Sequence, residues 1–501
     1  MTDDRIREYV PILARNHRYA SEVIQCAIHS PTVIRTKEEW ALLDTGAAGP
    51  RQRTFDFDVF RMEQVHHAVH TFWVATALFA GLAITLLIHG ALTVSANQSV
   101  PHEIANSIEG TVTDLNGEPV YRARVTDGSE LAITDANGMF SLQGSTSDLN
   151  QSLRIGAAGY DDWSAPVSEL DDPIEVALSL RPIRALYLNP TVITSDAQLD
   201  RLIDIVNSTN ANAVVIDIKE EWVYYDSQVA FFRDAGTVRP AYDISSLLQE
   251  FRNNDIYTIA RLVVFKDSTV ASVYPHLAIT DLNTGEPWRD VNGVAWVNPM
   301  LQELWEPNVD LAVEAANHGF DEIQYDYVRF PTDGDLSTMD FGAEYSQQGR
   351  EQAIEGFLAL SRQRLLPTGA NQSADVFGFT MVVDDDLGIG QNFARLAEFV
   401  DYLSPMVYPS HYSVGQFGLP GHPNDFPYEM VDISLQGGVQ RLGGHALQIR
   451  PWLQDFDYFG QTSYGAAQVR AQIEAANAHG VSGWMLWDPE NRYRLENLDT
   501  E

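Results

Sequence analysis

Hydrophobic and polar positions alternate most clearly over residues 319–331, Gly-Phe-Asp-Glu-Ile-Gln-Tyr-Asp-Tyr-Val-Arg-Phe-Pro. Successive side chains of a strand point to opposite faces, so Glu322, Gln324 and Asp326 share one face and Ile323, Tyr325 and Tyr327 the other. An apolar outer face with a polar inner face suits a barrel strand covered by helices. An Asp at the C-terminal end of such a strand stands where these barrels place their chemistry. The plainer alternative is a strand-end Asp that caps the next turn.

From Arg184 onward strands and helices alternate. Strands are predicted at Ala185–Leu188, Ala213–Lys219, Tyr257–Phe265, Glu322–Tyr327, Val376–Val383, Tyr402–Tyr408, Leu447–Leu453 and Gly483–Trp487. Amphipathic stretches separate them, among them Ala197–Asn207, Pro307–His318 and Gly465–His479. Eight such units within residues 183–501 predict an α/β fold, a (β/α)8 TIM barrel with loop insertions. A doubly wound open sheet is the main alternative, and it would open on a glycine-rich phosphate turn. The first strand instead ends Leu188-Asn189-Pro190, and Gly388-Ile389-Gly390 is too short for a dinucleotide motif.

Residues 108–182 predict a small all-β sandwich. Asn116-Gly117 and Asn137-Gly138 fall between alternating runs, the strongest short hairpin signal. Asp135-Ala136-Asn137-Gly138 is half of a calcium loop, but the Glu that would complete an EF-hand is missing, so turn chemistry reads better. Upstream, residues 72–94 carry no charge and match the ~20 residues of a membrane-spanning helix. A buried core helix is the alternative. Too much chain precedes the run for a signal peptide. Arg51, Arg53 and Arg61 lie before it, and the next basic residue is Arg122. The positive-inside rule therefore expects a cytoplasmic segment at 1–71, a single-pass signal anchor at 72–94, a linker at 95–107, and extracellular or periplasmic domains beyond.

Charge narrows the function. Asp and Glu number 69 against 32 Lys and Arg, a formal net charge of -37. A phosphate backbone needs clustered cations, so no nucleic-acid partner is expected. The only lysines are Lys37, Lys219 and Lys266. An acid-rich, lysine-poor surface suits high salt, where self-repulsion is screened, as in a halophile; high genomic G+C would also deplete lysine. The single cysteine, Cys26, allows neither an intramolecular disulfide nor a cysteine metal cluster.

In a barrel the strand C-termini converge, so the residues that close each strand meet. Strand two brings Asp217 and Lys219, either a structural ion pair or substrate-binding groups. Strand four brings Asp326, with Arg329 just beyond. Strand five ends Asp384-Asp385-Asp386, strand six Tyr408-Pro409-Ser410-His411, strand seven Trp452-Leu453-Gln454-Asp455, and strand eight Trp487-Asp488. Carboxylates thus close four strands, with Trp and Tyr around them. Glycosidic hydrolysis needs this: one carboxyl protonates the leaving oxygen, and the other attacks or activates water. Close carboxylates push each other's pKa values apart, so one stays protonated near neutral pH. Aromatic faces stack on sugar rings. Three consecutive Asp side chains diverge and rarely hold one ion, and no His-Glu-x-x-His zinc motif occurs, so no metal and no cofactor are expected.

Two resemblances sharpen these expectations. The runs GTVTDLNGEPVYRARVTDG, TDANGMFSL and IGAAGYDDW within 108–182 resemble the carboxypeptidase regulatory-like β-sandwich, which implies a non-catalytic spacer. NHGFDEIQYDYVRFPTDG, VFGFTMVVDDDLGIGQ, VDYLSPMVYPSHY and GWMLWDP resemble a glycoside hydrolase family once labelled a domain of unknown function, a TIM-barrel group distantly similar to α-amylase-like glycosidases. The resemblance implies Asp326 as nucleophile or water-activating base and Asp385 or Asp386 as acid. The α-amylase-like enzymes carry a Glu there, so the sequence departs from them. It implies Asp455 as transition-state stabiliser. Asp217, Lys219, Arg329, Tyr408, His411, Trp452, Trp487 and Asp488 would contact sugar. The expected function is hydrolysis of a cell-surface or extracellular polysaccharide. A non-catalytic polysaccharide-binding or envelope scaffold, and a metal-dependent hydrolase or deacetylase, are the competing readings.

Overall fold

A computed structural model describes residues 107–143, 152–171, 173–342 and 345–498. The expected segments 1–71 and 72–94, and all of the linker but its last residue, lie outside the described residues. Among the described residues no helix is long and apolar enough to cross a membrane.

Seven short strands come first: β1 (Ser107–Asp114), β2 (Arg124–Thr126), β3 (Leu131–Ile133), β4 (Met139–Gln143), β5 (Ser152–Gly156), β6 (Trp163–Pro166) and β7 (Ile174–Leu178). They form two sheets, ordered β4-β1-β7 and β3-β2-β5-β6. Alternation decides which side chains turn inward. Phe140 and Leu142 of β4 and Ile174, Val176 and Leu178 of β7 are buried, and they share one core with Val125, Leu153 and Ile155 of the other sheet. Asp135 accepts the N–H groups of Asn137 and Met139 at 2.8 and 2.9 Å, which is turn chemistry and not a calcium loop.

The barrel follows: β8 (Ile183–Leu188), β9 (Ala213–Lys219), β10 (Tyr257–Val263), β12 (Glu322–Asp326), β14 (Asn371–Phe377), β15 (Tyr402–Val407), β16 (Trp452–Gln454) and β17 (Gly483–Trp487). All pair in parallel, and β17 pairs with β8 to close the ring. Two further strands, β11 (Thr280–Asp281) and β13 (Met339–Asp340), pair antiparallel and tie together the loops after β10 and β12. Ile323 and Tyr325 face outward into the core beneath the helices, where the Tyr325 ring meets Phe357 of the helix Gln347–Leu365 edge-on at 4.9 Å. Gly319, at φ +106°, ends the helix Trp305–His318 and releases the chain into β12. A residue without Cβ rests easily in that left-handed conformation.

Two strands begin and end elsewhere than the hydrophobic pattern predicts. The fifth barrel strand is Asn371–Phe377, not Val376–Val383, and Gly378–Val382 forms a 3-10 turn. A Cβ on Gly378 would lie 2.4 Å from Tyr412 Oη and 2.5 Å from Met406 O, so the chain can leave the barrel wall only on a glycine. The seventh is Trp452–Gln454, because Ala446–Gln448 forms a turn.

The two-sheet unit docks on the N-terminal end of the barrel. Arg124 of β2 is buried and donates to Asp401 Oδ2 at 2.9 Å, Asn371 Oδ1 at 2.9 Å and the carbonyls of Gly369 and Ala370 at 3.3 Å. These acceptors lie just before or at the start of β14 and β15. Gly159 N–H donates to Tyr402 Oη at 3.2 Å, and the Tyr121 and His445 rings stack at 4.1 Å. The unit is therefore fixed to the barrel floor.

Candidate active site

The inner face of the barrel is polar from floor to mouth. At the floor Glu322 is fully buried, paired with Arg450 and hydrogen-bonded by Ser373 Oγ at 2.5 Å and Tyr257 Oη at 3.2 Å. One layer up, Gln324 donates to Ser404 Oγ at 3.3 Å. At the mouth stands Asp326. Strand alternation delivers these three to one face, as the sequence predicts.

Arg261 of β10 organises the mouth. Its Nε and Nη2 both reach Asp326 Oδ2, the former at 3.1 Å. Its Nη1 reaches Asp217 Oδ1 at 2.5 Å, and Glu220 Oε1 lies 3.9 Å from the same nitrogen. Asp217 Oδ2 also accepts the Tyr187 hydroxyl at 2.5 Å. Asp326 Oδ1 accepts the N–H of Tyr327 at 2.6 Å. Tyr327 holds φ +50°, a left-handed conformation costing a bulky residue on the order of 1–3 kcal/mol. That turn directs the N–H onto Asp326.

Asp375 of β14 is the second mouth carboxyl. Its Oδ1 accepts Trp452 Nε1 at 2.8 Å, and it is only 2 % exposed. Burial, and then the nearby Asp326 charge, hold Asp375 well above the usual carboxylate range. Tyr408 is pushed up by burial and by the Asp375 and Asp326 charges, which places its hydroxyl within their field. Asp217 is pushed up to about 7, chiefly by burial, with Arg261 opposing and Glu220 adding. The mouth thus carries an Arg-bound Asp beside a buried carboxyl whose pKa is raised.

The sequence-predicted residues divide in the structure. Asp326, Asp217, Tyr408, Trp452 and Trp487 meet at the mouth. Trp487 stacks on Tyr187 at 4.0 Å, with Arg261 5.3 Å from its centroid. Trp452 is fully buried and serves as the donor to Asp375. Lys219 does not pair with Asp217; a bulge between Arg261 and Leu262 turns it to Asp267, 2.8 Å away. Asp384 and Asp385 are exposed in the loop beyond the turn. Asp386 is buried and anchors that loop, taking Arg350 Nε at 2.7 Å, Arg350 Nη2 at 2.9 Å and the N–H groups of Gly388 and Gly390. Neither stands at the end of a barrel strand, because the strand ends at Phe377.

Asp455 and Asp488 form a second acidic pair beside the mouth. Asp455 Oδ1 accepts Asn497 Nδ2 at 2.7 Å, its Oδ2 is buried without a partner, and burial with the Asp488 charge pushes it up to about 7. Asp488 accepts the N–H groups of Glu490 and Arg492, and burial raises it as well. His411 is buried in an aromatic group with Tyr408, Phe456 and Tyr458, at 5.5, 5.8 and 5.4 Å between centroids. Arg329 lies under the Tyr327, Trp296 and Phe377 rings, at 4.8, 5.0 and 4.6 Å. Among the described residues no cluster of His, Cys, Asp and Glu is arranged to hold a metal.

Asp375, Arg261, Tyr187 and Glu220 escaped the sequence reading. The signal for Asp375 was present: Asn371, Ser373 and Asp375 alternate as Glu322, Gln324 and Asp326 do.

Residues 185–493, more than half of the chain, match the family model described as "Putative glycosyl hydrolase domain". The chain belongs to this family. The barrel is accordingly of the glycoside hydrolase type. No curated protein matches the chain. Among solved structures, a hypothetical protein from Ruminiclostridium thermocellum is 36% identical, over 38% of this chain and 97% of that one, with a TM-score of 0.35. The PgaB (BpsB) glycoside hydrolase domain from Bordetella bronchiseptica is 13% identical, over 64% and 100%, with a TM-score of 0.48. A chitinase from Chromobacterium violaceum is 14% identical, over 63% and 96%, with a TM-score of 0.38.

Proposed function

We propose that this protein hydrolyses glycosidic bonds in a cell-surface or extracellular polysaccharide, with Asp375 as general acid and Asp326 as its carboxylate partner. The observation that carries the reading is the pairing of the two on neighbouring strands. Asp326 is held by Arg261, and burial with the Asp326 charge holds Asp375 well above the usual carboxylate range. A protonated acid beside an anchored carboxylate is the division of labour that glycoside hydrolysis requires. Tyr408, His411 and Trp487 would line the sugar site, and Asp455 with Asp488 would border it.

In this reading residues 72–94 anchor the chain in the cell membrane with the N-terminus cytoplasmic, and the acidic surface suits a saline exterior. The two-sheet unit, with its resemblance to the carboxypeptidase regulatory-like fold, then lies between the anchor and the barrel along the chain.

A non-catalytic polysaccharide-binding role draws support from one feature: both Asp326 oxygens already accept hydrogen bonds. Asp326→Asn separates the two readings. The wild-type chain and the variant would be incubated with soluble starch, carboxymethylcellulose, chitosan and chitin oligomers, in high and low salt, and new reducing ends counted. Release that vanishes in the variant supports the hydrolase. Polymer binding without release in either protein supports the scaffold.

A further inference from the structure

Asp217 is the most deeply buried carboxyl at the mouth, with no exposed surface. Tyr187 of β8 donates to one oxygen and Arg261 of β10 to the other. Tyr242 Oη donates to the Asp217 backbone carbonyl at 2.7 Å and fixes the strand end. Glu220, on the loop after β9, completes the charged neighbourhood; its Oε2 accepts the Tyr224 hydroxyl at 3.1 Å. Lys219, the neighbouring cation on the same strand, is committed to Asp267.

One guanidinium therefore serves two carboxylates. Arg261 spends Nη1 on Asp217 and Nε with Nη2 on Asp326. The charge of Asp217 decides how much positive field reaches Asp326 and Asp375. With Asp217 ionised, Arg261 is shared and its field on the reacting pair is weakened. With Asp217 neutral, more of the guanidinium charge acts on Asp326, with Glu220 still 3.9 Å from Nη1, and ionisation of Asp375 beside it is favoured. We infer that Asp217 is a positioning residue which, through Arg261 and with the Tyr187 hydroxyl, sets the proton affinity of the Asp375–Asp326 pair. This rests on the acid and base roles proposed above. It gives a fully buried residue a hand in the pH range of the reaction.

The test is a pH profile of kcat/KM on whichever polymer of the four-polymer panel the wild-type chain cleaves fastest. Asp217→Asn keeps the shape and removes the charge. Its alkaline limb is expected to move to lower pH by about one unit, in the range a single nearby charge produces. Tyr187→Phe keeps the ring stacked on Trp487 and removes only the donated O–H. Asp217 is then protonated more readily, and the limb moves the same way by less. Circular dichroism melts establish that both variants fold, and Tyr187→Phe carries the test should Asp217→Asn fail to. A purely structural Asp217 would lower the whole profile and leave the limbs in place, and that outcome overturns the inference while the hydrolase reading stands. A wild-type chain without turnover on any polymer removes the reaction and the inference together.

Discussion

Asp326 and Asp375 stand one residue beyond Tyr325 and Ala374, which are direct partners in the β12–β14 ladder. Two carboxyl-bearing positions therefore lie side by side on the inner face of adjacent parallel strands. Neighbouring strands run ~4.8 Å apart, a spacing compatible with the ~5–5.5 Å carboxyl separation of retaining glycosidases. The product released from a cleavable oligosaccharide should keep the anomeric configuration of the scissile bond. Proton NMR of the first anomer formed checks this, and the opposite anomer would place the base elsewhere.

Asp375→Asn should lower kcat by about 10²–10⁴-fold, the usual contribution of a general acid. An activated aryl glycoside, whose leaving group needs little protonation, should recover most of the loss. Asp386→Asn is the contrasting case. Its partners are Arg350 and loop N–H groups, so its effect should show in thermal stability and leave rescue by the aryl leaving group absent. Equal rescue in both variants would return the acid role to the Asp triplet.

The fold was legible in this sequence because burial and alternation speak loudly in β12, β9 and β17. Asp375 was not, because β14 carries Asn371, Gln372, Ser373 and Asp375 where apolar runs mark most of the other strands. Reading for hydrophobicity moved the strand onto Val376–Val383 and handed its end to the Asp triplet. Arg261 was hidden differently. It is a single charge in the apolar run Tyr257–Val263, and only the closed ring shows that β9 and β12 supply its two carboxylates.

Arg124 offers a stability test remote from the chemistry. Its guanidinium leaves the two-sheet unit for the barrel floor, with Asp401 as its ionic partner. Removing one member of a buried pair typically costs about 3–5 kcal/mol. Arg124→Ala should therefore lower the melting temperature of the unit and barrel together, as one transition. Two separated transitions in calorimetry would show that the unit and the barrel unfold independently.

Asp455 makes a prediction in pH. Its folded pKa is raised to about 7, against roughly 3.9 for an unperturbed Asp. The folded state then holds a proton that the unfolded chain has lost, so its contribution to stability is complete below pH ~4. It declines as pH rises toward 7 and is exhausted above that. Within this window each pH unit removes at most about 1.4 kcal/mol from this group. Asp217 imposes a slope of the same sign, since it too is raised to about 7. Asp455→Asn should flatten part of the loss of stability between pH 4 and 7, and its denaturation midpoint should gain most on wild type at pH 8. Urea midpoints at pH 5 and pH 8 measure this. An unchanged slope in the variant would mean that Asp455 ionises normally, with its buried Oδ2 paired to a solvent molecule.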